Sequence, residues 1–143
     1  MQVQHILQTK GGAVASVPPD CTVAQAAEML SARRIGALIV TTDGTHIEGI
    51  LSERDIVREL GRRGPACLPD RVDALMTPNP IACTKNQTAR EVLEIMTAKR
   101  FRHMPVVEKG EMIGLISIGD AVKARLDELA MENEALEGMI KGL

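Results

Sequence analysis

The chain repeats itself, and that constrains its fold more than any other feature. Shifted by 66 positions, residues 22–34 fall over residues 88–100, with Thr22 over Thr88, Glu28 over Glu94, Ala32 over Ala98 and Arg34 over Arg100. One residue drops out of a loop, and the register resumes at a shift of 65. There Gly49, Ser52, Asp55 and Val57 fall over Gly114, Ser117, Asp120 and Val122. A copy of about fifty residues buries too little of its own small sheet to stand alone. Two copies therefore read as one pseudo-symmetric module rather than as independent beads.

Each copy has the same order of elements. A short strand comes first, at residues 14–17 or 81–83. A helix follows, with Thr22 or Thr88 as its N-cap and an apolar stripe of Val23, Ala26, Ala27 and Leu30, or Ala89, Val92, Leu93 and Met96. That 3–4 spacing is the mark of one buried helix face. Two strands joined by a tight turn come next. In the first copy they are residues 37–40 and 47–51 around Asp43-Gly44, and in the second residues 104–107 and 112–116 around Lys109-Gly110. A second helix closes each copy, starting at Ser52 or Ser117. The expected fold is α/β, two β-α-β-β-α units packed as one module. Unit one covers residues 10–62 and unit two residues 76–125, with a linker at 63–75 and a helical extension at 126–143.

Taken alone, Ser52-x-x-Asp55 and Ser117-x-x-Asp120 read as helix caps, a serine at the N-cap and an acid three residues on. Arg102 reads as a solvated base and His103 as a sheet residue with satisfied hydrogen bonds.

Four pieces in order then carry a resemblance: Gly-x-x-Ser-x-x-Asp at Gly49, Met76-Thr77-Pro78-Asn79-Pro80 ahead of a strand, Arg102-His103-Met104-Pro105-Val106-Val107, and Gly-x-x-Ser-x-x-Asp again at Gly114. From Lys10 to Arg125 the chain resembles a tandem pair of cystathionine β-synthase (CBS) domains, the arrangement called a Bateman module. The resemblance implies a regulatory, non-catalytic module that binds an adenine nucleotide (AMP, ADP or ATP) between its two units and signals to a partner protein. NAD(H) and S-adenosylmethionine are the alternative ligands, and a structural dimerisation module with degenerate pockets is the rival function.

It also implies two sites. The first would use Ser52, Arg54 and Asp55 with Asn79, Pro80, Ile81, Ala82, Arg102 and His103. The second, weaker one would use Lys10, Ala13, Ala15, Ser16, Gly36, Ala37, Ser117 and Asp120. In each, the Asp takes the ribose hydroxyls and the Ser reaches phosphate. The physics suits both tasks: a carboxylate accepts two hydrogen bonds from a vicinal diol, and a helix N-terminus favours an anion. Arg102 and His103 add charge to the first site, where the second has Gly36 and Ala37. The adenine would lie among aliphatic side chains such as Ile50, Val57 and Ile81.

Composition narrows the rivals. With 17 Lys and Arg against 19 Asp and Glu, no concentrated basic face is implied, which speaks against nucleic acid as a partner. One Phe, no Tyr and no Trp leave nothing for base-stacking platforms or aromatic cages. Three cysteines without a C-x-x-C, and three scattered histidines, give no zinc spacing. The cysteines read as free thiols, and no base-paired nucleophile, P-loop or dinucleotide fingerprint supports an enzyme. No catalytic cofactor and no metal is expected. The opening residues lack the pattern of a signal peptide, and no apolar run approaches the ~18 residues of a membrane span. A cytoplasmic location is the expectation.

The last helix runs past the end of its copy. Val122, Leu126, Leu129, Asn133, Leu136, Ile140 and Leu143 follow spacings of 4, 3, 4, 3, 4 and 3, a heptad seam with Asn133 at an a position. A homodimer contacted through this helix is expected. The competing reading lays the same stripe on the chain's own module.

Overall fold

Thr22 and Thr88 start the corresponding helices of the two copies in the same way. The Thr22 hydroxyl accepts the Gln25 N–H and the Thr88 hydroxyl the Glu91 N–H, each at 3.1 Å. The Gln25 and Glu91 side chains bond back to the cap residue's own N–H. Each box satisfies two donors that the first turn leaves without a partner.

The computed structural model describes residues 1–141. In chain order the elements are α1 Val3–Lys10, β1 Ser16–Val17, α2 Val23–Arg33, β2 Ala37–Val40, β3 Gly49–Ser52, α3 Glu53–Arg63, β4 Thr77–Pro78, α4 Ala89–Lys99, β5 His103–Glu108, β6 Glu111–Ser117 and α5 Ile118–Ile140. They divide into two spatial units. One, the Ser52 unit, holds residues 13–81 and 108–113; the other, the Ser117 unit, holds residues 1–12, 82–107 and 114 onward.

In the Ser52 unit the strands are ordered β1-β2-β3-β4. Ser16 and Val17 lie parallel to Ile39 and Val40. Leu38 faces Leu51 across the antiparallel β2–β3 pair, and Ile50 faces Thr77. All four residues of β2 are buried, so the strand is apolar without alternation. Val23, Ala26 and Leu30 of α2 and Ile56 of α3 pack with Val17, Leu38, Val40, Leu51 and Val72. Leu38 and Leu51 are fully buried, and each contributes about 1.5–3 kcal/mol.

In the Ser117 unit, Val3 and Ile6 of α1, Val92 and Met96 of α4, and Ala121 and Ala124 of α5 are buried with Met104, Val106 and Ile116. The β5–β6 hairpin turns through Lys109 and Gly110, both at positive φ (52° and 79°). Two such residues give the turn whose twist matches its strands. The hairpin tip belongs to the Ser52 unit, where the Met112 N–H donates to the Thr45 carbonyl at 2.8 Å.

Three local expectations change. The strand expected at 14–17 shortens to Ser16–Val17, ended by Pro18, which has no N–H to pair. The strand expected at 81–83 contracts to one parallel bridge, Cys83 to Val106, the counterpart of Val17 against Val40. The segment 63–75 is structured: 3-10 turns run over Gly64–Cys67 and Val72–Ala74, and Cys67 and Val72 are fully buried.

That segment explains a feature the repeat alone does not reveal: the leading segments of the two copies are exchanged. Arg71, which precedes copy two, bridges Thr22 of copy one, and the N–H groups of Val23 and Ala24 donate to the Asp70 and Leu68 carbonyls. Gln2, which precedes copy one, bridges Thr88 of copy two, and the Val3 N–H donates to Gln87 while the Ala89 N–H donates to Met1. The helix α1 was not foreseen. It lays Leu7 over Gly114, where an added Cβ would come within 2.5 Å of a Leu7 methyl. In the Ser52 unit Met76 lies over Gly49, and a Cβ there would come within 2.4 Å of its sulfur and 2.9 Å of the Thr77 carbonyl. The glycine of each Gly-x-x-Ser-x-x-Asp motif is thus required by close approach of the exchanged segment.

Candidate functional site

The helices α3 and α5 begin on matching boxes. Ser52 Oγ accepts the Asp55 N–H at 3.3 Å, and Asp55 Oδ2 accepts the Ser52 N–H at 2.9 Å. Ser117 and Asp120 repeat this at 3.1 and 2.9 Å. The first helical N–H is also taken up: Glu53 donates to the Gly36 carbonyl at 2.9 Å, and Ile118 to the Arg102 carbonyl at 2.8 Å. Of the first turn's donors, the fold itself therefore uses the first and the third. An anion at either helix start would meet the second, the amide of Arg54 or of Gly119, together with the serine O–H.

The two carboxylates differ in their surroundings. Asp55 keeps Oδ1 outside the cap; the Arg58 guanidinium lies 3.6 Å from it, with Asp55 13% and Arg58 73% exposed. A guanidinium that lies largely in water adds little to the pair. Asp120 is engaged more fully. Lys10 Nζ donates to Asp120 Oδ2 at 2.5 Å and to the Leu115 carbonyl at 2.9 Å. Burial pushes the Asp120 carboxyl up, but the hydrogen bonds from Lys10 and Ser117 outweigh it and leave the group below its ordinary value. The Lys10–Asp120 pair lines a cleft of about 300 Å³ between α1 and α5, with His5, Thr9, Lys123 and Asp127 around it.

The remaining expected site residues are placed as follows. Ser52, Arg54, Asp55, Asn79, Pro80 and Ile81 all belong to the Ser52 unit, as do Ala13, Ala15, Ser16, Gly36 and Ala37. Lys10, Ala82, Arg102, His103, Ser117 and Asp120 belong to the Ser117 unit. Arg54 and Arg102 are exposed, and His103 is half-buried at the start of β5. Ile81 and Val57 are exposed and Ile50 is half-buried on β3. Asn79 sits at φ 47°, a left-handed position that Asn tolerates, as the chain leaves β4. The sequence pointed to Lys10 as a source of charge; its direct bond to Asp120 came only with α1.

The thiols are poorly placed for nucleophilic chemistry. Cys67 and Cys83 are buried, and burial pushes the Cys83 thiol up to about 11. Burial, then the charge of Asp20, raises Cys21. At Cys21 and Cys83 thiolate is therefore scarce at neutral pH. Among the described residues no His, Cys, Asp or Glu cluster suits a metal ion, and no helix is long and apolar enough to cross a membrane.

Comparison with known proteins places these helix starts in a family. The family model for the CBS domain matches residues 7–62 and 72–127. The CBS domain-containing protein CBSCBSPB3 of Arabidopsis thaliana is 34% identical over 134 residues, covering 90% of this chain and 24% of that protein. The chain thus spans about a quarter of that relative's length. A 17.7 kDa uncharacterised protein of Acidianus ambivalens is 32% identical, covering 92% of this chain and 77% of that one. Among solved structures, the CBS-domain containing protein ATU1752 from Agrobacterium tumefaciens has a TM-score of 0.84 at 44% identity, covering 87% of this chain and 99% of that one. CBSX2 in complex with AMP matches with a TM-score of 0.72 at 25% identity, covering 88% of this chain and 96% of that one. PAE2072 from Pyrobaculum aerophilum, complexed with AMP, matches at 0.74 and 26%, covering 84% of this chain and 89% of that one. With both repeats matched in tandem and the same mixed α/β architecture, the chain belongs to the CBS-domain family.

Proposed function

We propose that the chain is a regulatory, non-catalytic sensor that binds an adenine nucleotide, AMP, ADP or ATP, and passes its occupancy to a partner protein as a homodimer. The observation that carries this is the Ser52–Asp55 helix start. It presents a carboxylate oxygen outside the cap, a serine O–H and a first-turn amide within one short segment. A diol and a phosphate need that combination of acceptor and donors. Two relatives of the same fold, at 25% and 26% identity, are described as complexes with AMP, which supports the ligand class. Arg102 and His103 are proposed as further contacts for an adenine nucleotide. NAD(H) and S-adenosylmethionine share the adenosine portion and are the second choice.

The test is direct. With no Trp or Tyr the protein scarcely absorbs near 280 nm. A purified sample should show a 260 nm peak that denaturation and filtration remove, and calorimetry with AMP, ADP and ATP on the emptied protein should give saturable heats. A flat spectrum together with no heat from any adenine ligand would favour a structural module with degenerate pockets.

A further inference from the structure

We propose that the outward face of α5 is a self-association seam that pairs, parallel and in register, with α5 of a second copy. This deepens the homodimer part of the function proposed above and stands apart from nucleotide binding.

α5 packs on its own unit through Ala121 and Ala124. The heptad stripe faces elsewhere: Val122, Leu126, Leu129, Leu136 and Ile140 are exposed, Leu126 by 60% and Ile140 by 84%. The reading that lays this stripe on the chain's own module is therefore overturned. Leu143, the last position of the expected seam, lies outside the described residues. From Leu129 to Ile140 no residue of α5 is buried. An isolated helix of that length is marginal in water, so a covering surface is needed.

Asn133, exposed at the centre of the stripe, identifies the occupant. In a parallel, in-register pair each position meets itself, and its amide meets the partner's Asn133. Two amides satisfy each other across such a seam and fix its register. An apolar groove on another protein would bury that amide without a partner. In an antiparallel pair Asn133 would face the partner's Leu129, and Lys123 would meet the partner's Glu137. Exposed ion pairs contribute less than an unsatisfied buried amide costs, so the parallel pair wins. It sets Glu132 near the partner's Glu137, a repulsion that salt screens.

Light scattering on the full chain should show a dimer. Leu129→Glu with Leu136→Glu, at exposed positions that leave the core intact, should weaken it at least tenfold while circular dichroism holds. Under mild oxidant Asn133→Cys should give a covalent dimer. Ala130→Cys should not, because position 130 meets its own copy only in an antiparallel pair. The native chain, whose thiols are buried or half-buried, is the control. A dimer unchanged by both Glu substitutions overturns the seam while leaving the homodimer standing. A monomeric native chain overturns both. Cross-linking through position 130 instead of 133 overturns the parallel arrangement.

Discussion

Lys10 Nζ bonds Asp120 Oδ2 at 2.5 Å, across 110 positions of sequence, and ties the end of α1 to the start of α5. The Ser52 unit has no such lysine. When Val3 and Leu7 are laid over Val72 and Met76, Lys10 falls on Asn79, whose N–H donates to the Glu48 carbonyl at 3.3 Å. The two repeats therefore arrive at like helix starts with unlike carboxylates: Asp120 is held by a direct hydrogen bond from Lys10, and Asp55 faces only the largely exposed Arg58 at 3.6 Å.

One expected outcome concerns titration. Asp120 is depressed in the folded chain, so its stabilisation is present above the ordinary carboxylate value and is lost as pH falls through the lower, folded one. Lys10→Met removes a charge-assisted hydrogen bond and leaves the burial. The Asp120 midpoint, followed by carboxyl carbon NMR, should move up. Lys10 is 37% exposed and Asp120 25%, so stability at neutral pH should fall by no more than about 1 kcal/mol. An unmoved midpoint would show that Lys10 does not hold the carboxylate in solution.

Nucleotide affinity should divide along the same line. Removing a hydrogen-bonded charged partner costs ~1.5–3 kcal/mol, about ten- to a hundredfold in affinity. Asp55→Ala should lose that much by calorimetry. Asp120→Ala should lose less, because its carboxylate is already engaged by Lys10. Equal losses would remove the asymmetry.

Gly49→Ala should destabilise by about 1–3 kcal/mol through overpacking against Met76 and the Thr77 carbonyl. Gly114→Ala should cost less, since its nearest atoms all belong to the Leu7 side chain, which can shift. Urea melts of the two variants check the order. If Gly114→Ala proved the costlier, the rigid carbonyl would not be the deciding contact.

The caps should be worth the same in both copies. Thr22→Ala and Thr88→Ala each remove a hydroxyl acceptor at 3.1 Å and should each cost about 1 kcal/mol. Thermal melts give the comparison. A negligible loss in one copy would mean that the exchanged segment at that helix start carries the capping by itself.

Much of this was legible without coordinates, and the reason is range. Thr22 to Gln25, Ser52 to Asp55 and Lys109-Gly110 are relations across a few residues, and hydrogen-bond geometry ties each residue type to its offset. The apolar stripes and the heptad spacing are likewise periodicities along one helix. Two left-handed helix ends, Arg34 at φ 52° and Arg100 at φ 60°, went unread because neither is Gly or Asn, the usual signal for that conformation.

The repeat, the caps, the hairpin of copy two, the spacing of the α5 stripe and the family are thus written in local pattern. Tertiary structure alone decided the rest. The exchange of leading segments, Leu7 on Gly114 and Met76 on Gly49, the bond from Lys10 to Asp120 and the outward turn of the stripe are choices of partner among residues distant in sequence. No period along the chain records them. Periodicity says that Val122, Leu126 and Leu129 share a face; burial of Ala121 and Ala124 on the other side says which way that face points.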